Sequence, residues 1–195
     1  MQKSFLYKLL LCSTVLLAQS NNTSADSFLP APAVTSTTKH KMTIKEAALK
    51  AINGVRMHTQ ICSKATKPLH WNKHLYNMSK EHSIDMAVTS LLQHNGSGTK
   101  TDTTALRLNL KRGSYFFERV NQKINSKNLY SGELVVRTDI KSLSSPRTVI
   151  AYWIKKQKDC QLIMNPNFTD FAMAKVISNK DRRAYWTLLL AGKRK

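Results

Sequence analysis

From Thr43 onwards the apolar positions of the chain recur with helical spacing. Thr43-Ile-Lys-Glu46 has the form of a capping box, and Ile44, Ala48, Ala51, Ile52, Val55 and Thr59 fall on one face. The pattern predicts a helix to about Gln60 that delivers Cys62 just past its end, followed by a loop at Lys67-Pro68-Leu69. A second helix follows Trp71, with Asn72 as its cap, Leu75, Met78, His82 and Met86 on one face, and an end near Leu92. Residues 93–98 form a turn, because Gly96 and Gly98 make helix and strand expensive. Residues 99–114 read as an irregular insertion, 116–122 as a short helix, and 129–136 as a β-prone run. Ser145-Pro146 opens a third helix with Val149, Ile150, Trp153 and Ile154 as its apolar face, and Met164-Asn165-Pro166 ends a short helix that Cys160 begins. Residues 168–177 and 184–190 then read as two strands joined by a tight turn at 178–181. Helix, helix, strand, helix and strand hairpin predict an α+β layered domain over residues 43–195.

Upstream the pattern is different. Lys3 and Lys8 flank the start of an apolar run at residues 9–18, and small residues follow, as in a secretory signal peptide over residues 1–20, cut after Ser20 or Ala25. The run is shorter than the ~20 residues of a spanning helix. Residues 21–42 are rich in Ser, Thr, Pro and Ala without periodicity and read as a flexible leader. These features predict a secreted or periplasmic protein with no transmembrane segment in the mature chain.

Composition adds a strong charge. The 195 residues carry 31 Lys+Arg against 11 Asp+Glu, formally +20, and losing Lys3 and Lys8 with the signal leaves +18. Such an excess favours an anionic partner: an envelope polymer, anionic lipid or nucleic acid. The basic residues are scattered and no aromatic-interleaved binding motif accompanies them, which argues against nucleic acid. Cys12 leaves with the signal, so Cys62 and Cys160 remain. In an oxidising compartment an even pair is most simply a disulfide, with two free buried thiols as the alternative. Asp159 next to Cys160 raises a thiol pKa rather than lowering it, and no histidine is close in sequence, so a catalytic cysteine is not expected. His82 reads as a hydrogen-bonded core residue, and Trp71, Trp153 and Trp186 as packing.

Several words appear in order at fixed intervals: Leu69-His-Trp-Asn, Glu81-His-Ser-Ile-Asp-Met86, Leu92-Gln-His94-Asn-Gly96, Phe117-Glu-Arg-Val120, Gly132-Glu133, the Trp153 to Asn165 stretch, and Tyr185-Trp186-Thr187. Together they resemble the CAP superfamily (cysteine-rich secretory, antigen 5, pathogenesis-related 1), also called the SCP domain, in its secreted bacterial form. The resemblance implies an α-β-α sandwich with a central, mostly antiparallel sheet and an open cleft. In many members two histidines and two acidic residues line that cleft and can hold a divalent metal. It also implies the Cys62–Cys160 disulfide. His94 falls on the first family histidine and Glu133 on the glutamate of "GEN"; the second histidine is here Asp159, and the asparagine of "GEN" is Leu134. One imidazole and two carboxylates are a credible ligand set for a divalent ion such as zinc. Two functions follow as expectations. One is an exported, non-catalytic module that binds an anionic or amphipathic envelope or extracellular ligand. The alternative is a metal-dependent hydrolase using His94, Glu133 and Asp159. In the first, Glu133 and Asp159 pair with His94 or lysines and merely close the cleft.

Overall fold

The computed structural model describes residues 42–121 and 129–194. The predicted signal peptide, residues 21–41 of the predicted leader, and Gln122 lie outside them. Ten elements follow one another: α1 (Ile44–Arg56), β1 (His70–Trp71), α2 (Lys73–Thr89), α3 (Thr103–Arg107), α4 (Phe116–Asn121), β2 (Leu129–Asp139), α5 (Pro146–Ile154), α6 (Gln157–Met164), β3 (Asp170–Ile177) and β4 (Arg183–Lys193).

The local start signals act as read. Thr43 Oγ1 accepts from the Glu46 amide at 3.2 Å while Glu46 Oε2 takes the Thr43 amide at 2.8 Å. Asn72 Oδ1 accepts the amides of His74 and Leu75, and Ser145 caps α5 with Pro146 at its first position. The stops differ. Helix α1 ends at Arg56, not Gln60, because Gln60 turns back to donate from Nε2 to the Val55 carbonyl at 2.8 Å and bridges to Ser63. Helix α2 ends at Thr89, where Ser90 takes a left-handed φ of 61°. The expected irregular insertion contains α3, capped by Asp102. Strand β1, two residues long, is too short to leave a periodic signal.

The strands form one sheet in the order β1-β3-β4-β2, antiparallel except for the β1–β3 pair. Strand β4 is buried on both faces. On one face Trp186, Leu188 and Leu190, with Phe171 and Met173 of β3 and Leu134 and Val136 of β2, pack on Ala48 and Ile52 of α1, Val149 and Trp153 of α5, and Ile163 of α6. On the other, Leu189, Ala191 and Ala172 meet Leu75 and Met78 of α2 and Val120 of α4, while Tyr185 meets Met86 and Ala87. The result is a three-layer α-β-α arrangement, and Trp153 and Trp186 are core residues as expected.

Two devices tie α1 to α6. Cys62 and Cys160 are disulfide-bonded, with their Cα atoms 6.0 Å apart. Arg56, fully buried, donates to the carbonyls of Lys67, Ile163, Asn165 and Phe168. Its charge thus faces carbonyls at the C-terminal end of α6, where a cation is favoured, and burial lowers its pKa to about 10. At the far end of the sheet the β3–β4 turn is closed by Ser178, whose amide donates to the Arg183 carbonyl at 2.8 Å. Arg182 in this turn has φ 58°. That conformation costs a residue with a Cβ roughly 1–2 kcal/mol.

Candidate functional site

Strand β2 is an edge strand, and its alternation decides where Glu133 points. Gly132 lies against α6, where a Cβ would come within 2.9 Å of Leu162 Cδ1 and 3.1 Å of the Phe168 ring. Glu133 therefore turns to the opposite face, towards α2 and α4. Only 1% of its side chain is exposed, and the same holds for Arg119 of α4. A carboxylate so placed must find strong donors. Arg119 Nη2 donates to Glu133 Oε2 at 2.7 Å, and His94 Nδ1 donates to Oε1 at 3.0 Å. Burial pushes the Glu133 carboxyl up, but the Arg119 charge, the His94 bond and the His82 ring together outweigh it and hold it below the ordinary carboxylate value.

The chain of contacts continues away from the carboxylate. Arg119 Nη2 also donates to the His94 carbonyl at 2.7 Å, and Nη1 donates to the carbonyl and hydroxyl oxygens of Ser114 at 2.9 and 3.1 Å. Ser114 in turn gives its amide and hydroxyl to buried Asp102, which also takes the amides of Ala105 and Gly98. Burial raises the Asp102 carboxyl, yet these donors bring its pKa below the ordinary value. Gly96 sits so close that a Cβ there would lie 2.0 Å from Asp102 Oδ2. The loop is thus folded around a carboxylate.

Helix α2 holds the same loop from the other side, through the Glu81-His82-Ser83-Ile84-Asp85 word. Glu81 Oε1 takes the amide and hydroxyl of Thr104, His82 Nε2 donates to the Gln93 carbonyl at 2.9 Å, and Asp85 takes the amide and hydroxyl of Ser97 and the hydroxyl of Thr101. His82 is the hydrogen-bonded core histidine expected. Its Nε2 is also 3.8 Å from Glu133 Oε1, yet burial, the largest influence, keeps its pKa below the ordinary value. The Ser97 hydroxyl, spent on Asp85, is not positioned as a nucleophile by His94.

The sequence-predicted residues divide. His94 and Glu133 are brought together. Asp159 is in the first turn of α6, 3.9 Å from Lys156 Nζ, and influences His94 only as a nearby charge. Among the described residues no three His, Cys, Asp or Glu side chains gather closely enough to hold an ion. Both Glu133 oxygens are occupied, one by a guanidinium whose charge opposes a cation. This arrangement does not fit the metal that a His94, Glu133 and Asp159 ligand set would require. Arg119 and Asp102, which organise the site, were not singled out in the sequence. Arg119 lies inside the Phe117-Glu-Arg-Val120 word, and that placement was the available signal.

His94 is more than half exposed, and its pKa is raised, first by the hydrogen bond to Glu133. Its contribution to stability is complete below its unfolded value of about 6.5 and fades as pH rises through the folded value. Glu133 and Asp102 contribute above their unfolded values and lose that contribution as pH falls through their lowered folded ones. His82, whose folded value burial lowers, contributes above its unfolded value of about 6.5 and loses that contribution as pH falls. The urea midpoint is therefore expected to peak near neutral pH, with an acid-side decline that begins with His82 and steepens in strong acid, and a shallower decline on the alkaline side. His94→Ala is expected to remove the alkaline decline and keep the acid drop. An unchanged profile in that variant would exclude the His94–Glu133 bond.

Comparison with known proteins agrees with this architecture. Residues 49–190 match the family described as CAP, the cysteine-rich secretory protein family. No curated protein matches the chain. Among solved structures, an extracellular SCP-domain protein of Bacillus anthracis aligns with a TM-score of 0.54 at 15% identity, over 78% of this chain and 40% of that longer one. An outer surface protein of Borrelia burgdorferi aligns with a TM-score of 0.56 at 13% identity, over 80% of this chain and 98% of that one. The family match over most of the described residues, together with a three-layer fold shared with SCP-domain structures, establishes that this chain belongs to the CAP family.

Proposed function

We propose that the protein is an exported CAP module that binds rather than catalyses, and that its basic surface engages an anionic component of the cell envelope. The observation that carries the first half is the commitment of Glu133: both oxygens are held by Arg119 and His94, so the carboxylate braces the His94 loop rather than activating water or a metal. Asp159, beside Lys156, and Ser97, tied to Asp85, support the same reading. The N-terminal pattern and the secreted character of the family support export. The formal +18 of the mature chain supports an anionic partner.

Attraction of this kind is screened, with a Debye length of about 10 Å at 0.1 M salt and about 3 Å at 1 M. Binding of the mature protein to an anionic wall polymer or to anionic vesicles is therefore expected to weaken at least tenfold between low and high salt. A titration at the two salt concentrations checks it, and equal affinities would refute the electrostatic mechanism.

A further inference from the structure

The outward stripe of α2 changes character along its length. Lys73, Asn77 and Lys80 lead, and Ile84 and Val88 follow at helical spacing, all exposed. Ile84 and Val88 are 36% and 53% exposed, and across a groove of about 340 Å³ they face Ile177 of β3, 44% exposed. Ala87 and Val176 form part of the same groove, Lys180 stands at its edge, and no carboxylate lines it among the described residues. Leu91 and Leu92, just beyond α2, are also exposed.

The adjoining β3–β4 turn is built to present cations. The Ser178 hydroxyl accepts the amides of Lys180 and Asp181. The Asp181 carboxylate accepts from the Arg183 amide and the Tyr185 hydroxyl and stays charged, so the turn sets Lys180, Arg182 and Arg183 against one carboxylate and is net positive. Arg182 occupies a left-handed backbone position that glycine would fill without strain. Strain held in an exposed turn points to a role for the side chain that bears it. Isolated exposed aliphatics need no explanation, but a group of them beside a net positive turn does.

We infer that this face, the Ile84, Val88 and Ile177 groove together with the Lys180–Arg182 turn, is a docking surface for an anionic bilayer. The aliphatic side chains enter the headgroup boundary, and Lys180, Arg182 and Lys80 meet lipid phosphates. A membrane is favoured because the patch pairs apolar side chains with cations, whereas a soluble polyanion would use the cations alone. The inference rests on the proposed anionic envelope partner and narrows it to one surface and one chemistry.

Co-sedimentation of the mature protein with phosphatidylcholine vesicles, with and without phosphatidylglycerol, tests it. Binding is expected only to the phosphatidylglycerol vesicles. Each of Lys180→Gln and Arg182→Gly is expected to weaken it roughly fivefold, about 25-fold together. Arg182→Gly should leave Tm at or above the wild-type value, which separates loss of binding from loss of fold. Val88→Ser with Ile177→Ser should abolish the binding that survives high salt. Lys45→Gln with Lys50→Gln, on α1 across the sheet, should change nothing. Equal losses from the α1 pair would make the attraction diffuse and overturn the proposal, as would unchanged binding in the groove and turn variants. If the wild type binds a wall polymer in a salt-sensitive way but no vesicle, the docking surface falls while the broader functional reading stands. If it binds neither, both fall.

Discussion

Arg119→Met is expected to cost about 3–5 kcal/mol of folding stability, seen as a lower urea midpoint with little change in slope. The change removes no large apolar contact. It leaves Glu133 charged, buried and without the guanidinium that compensates it, and also strips donors from the carbonyls of His94 and Ser114. Arg119→Lys should recover only part of the loss, because one ammonium cannot reach Ser114, His94 and Glu133 with the planar fork that now does so. In a Glu133→Leu background, Arg119→Met should cost far less, since the pair would then be replaced by apolar volume. The double-mutant cycle isolates their coupling. A single-variant loss within about 0.5 kcal/mol, the range of an ordinary surface substitution, would show that the buried ion pair does not hold the site.

Removal of the disulfide is the second large effect. The Cys62→Ser, Cys160→Ser double variant, or complete reduction, is expected to lower stability by about 4–5 kcal/mol, the chain-entropy value for a loop of about 100 residues. The link spans 98 residues, so nearly two thirds of the described domain lies inside the loop it closes. Arg56 should keep the native contacts between α1 and α6 intact in the reduced protein, so the loss is expected to come from the unfolded chain gaining freedom. Comparing urea midpoints of oxidised and reduced protein measures the effect. Non-reducing peptide mapping shows whether the bond is present at all: two unpaired thiols there would overturn the pairing.

Much of the fold was legible because its signals are local. Thr43 with Glu46, Asn72, and Ser145 with Pro146 announce helix starts through atoms three residues apart or fewer. The near-continuous apolar run at residues 184–190 announces the strand β4. What escaped reading depends on distant partners. Nothing near Val55 says that Gln60 will turn back, so periodicity carried α1 too far. Helix α3 has one turn and sits among threonines, and its cap, Asp102, becomes meaningful only when Ser114 reaches it from 12 residues away. The candidate site follows the same division. His94 and Glu133 were found through words of sequence. Arg119 is one of 31 basic residues and resembles a solvated charge until the fold buries it. Asp159 was grouped with His94 and Glu133 by alignment, whereas its closest charged contact is Lys156, one turn of α6 away.

Helix α2 meets the loop that follows it through Glu81, His82 and Asp85, which lie within a single turn and a half. Each residue advances the helix by 100°, so inserting one amino acid between Lys80 and Glu81 would rotate what precedes it relative to those three contacts. Either Leu75 and Met78 would leave the sheet or the loop would lose its three anchors on α2 at once. Length can therefore vary within the loop, between its points of attachment, but not within the helix that carries them. Natural variants with altered loop size and an α2 of constant length are the pattern this constraint permits.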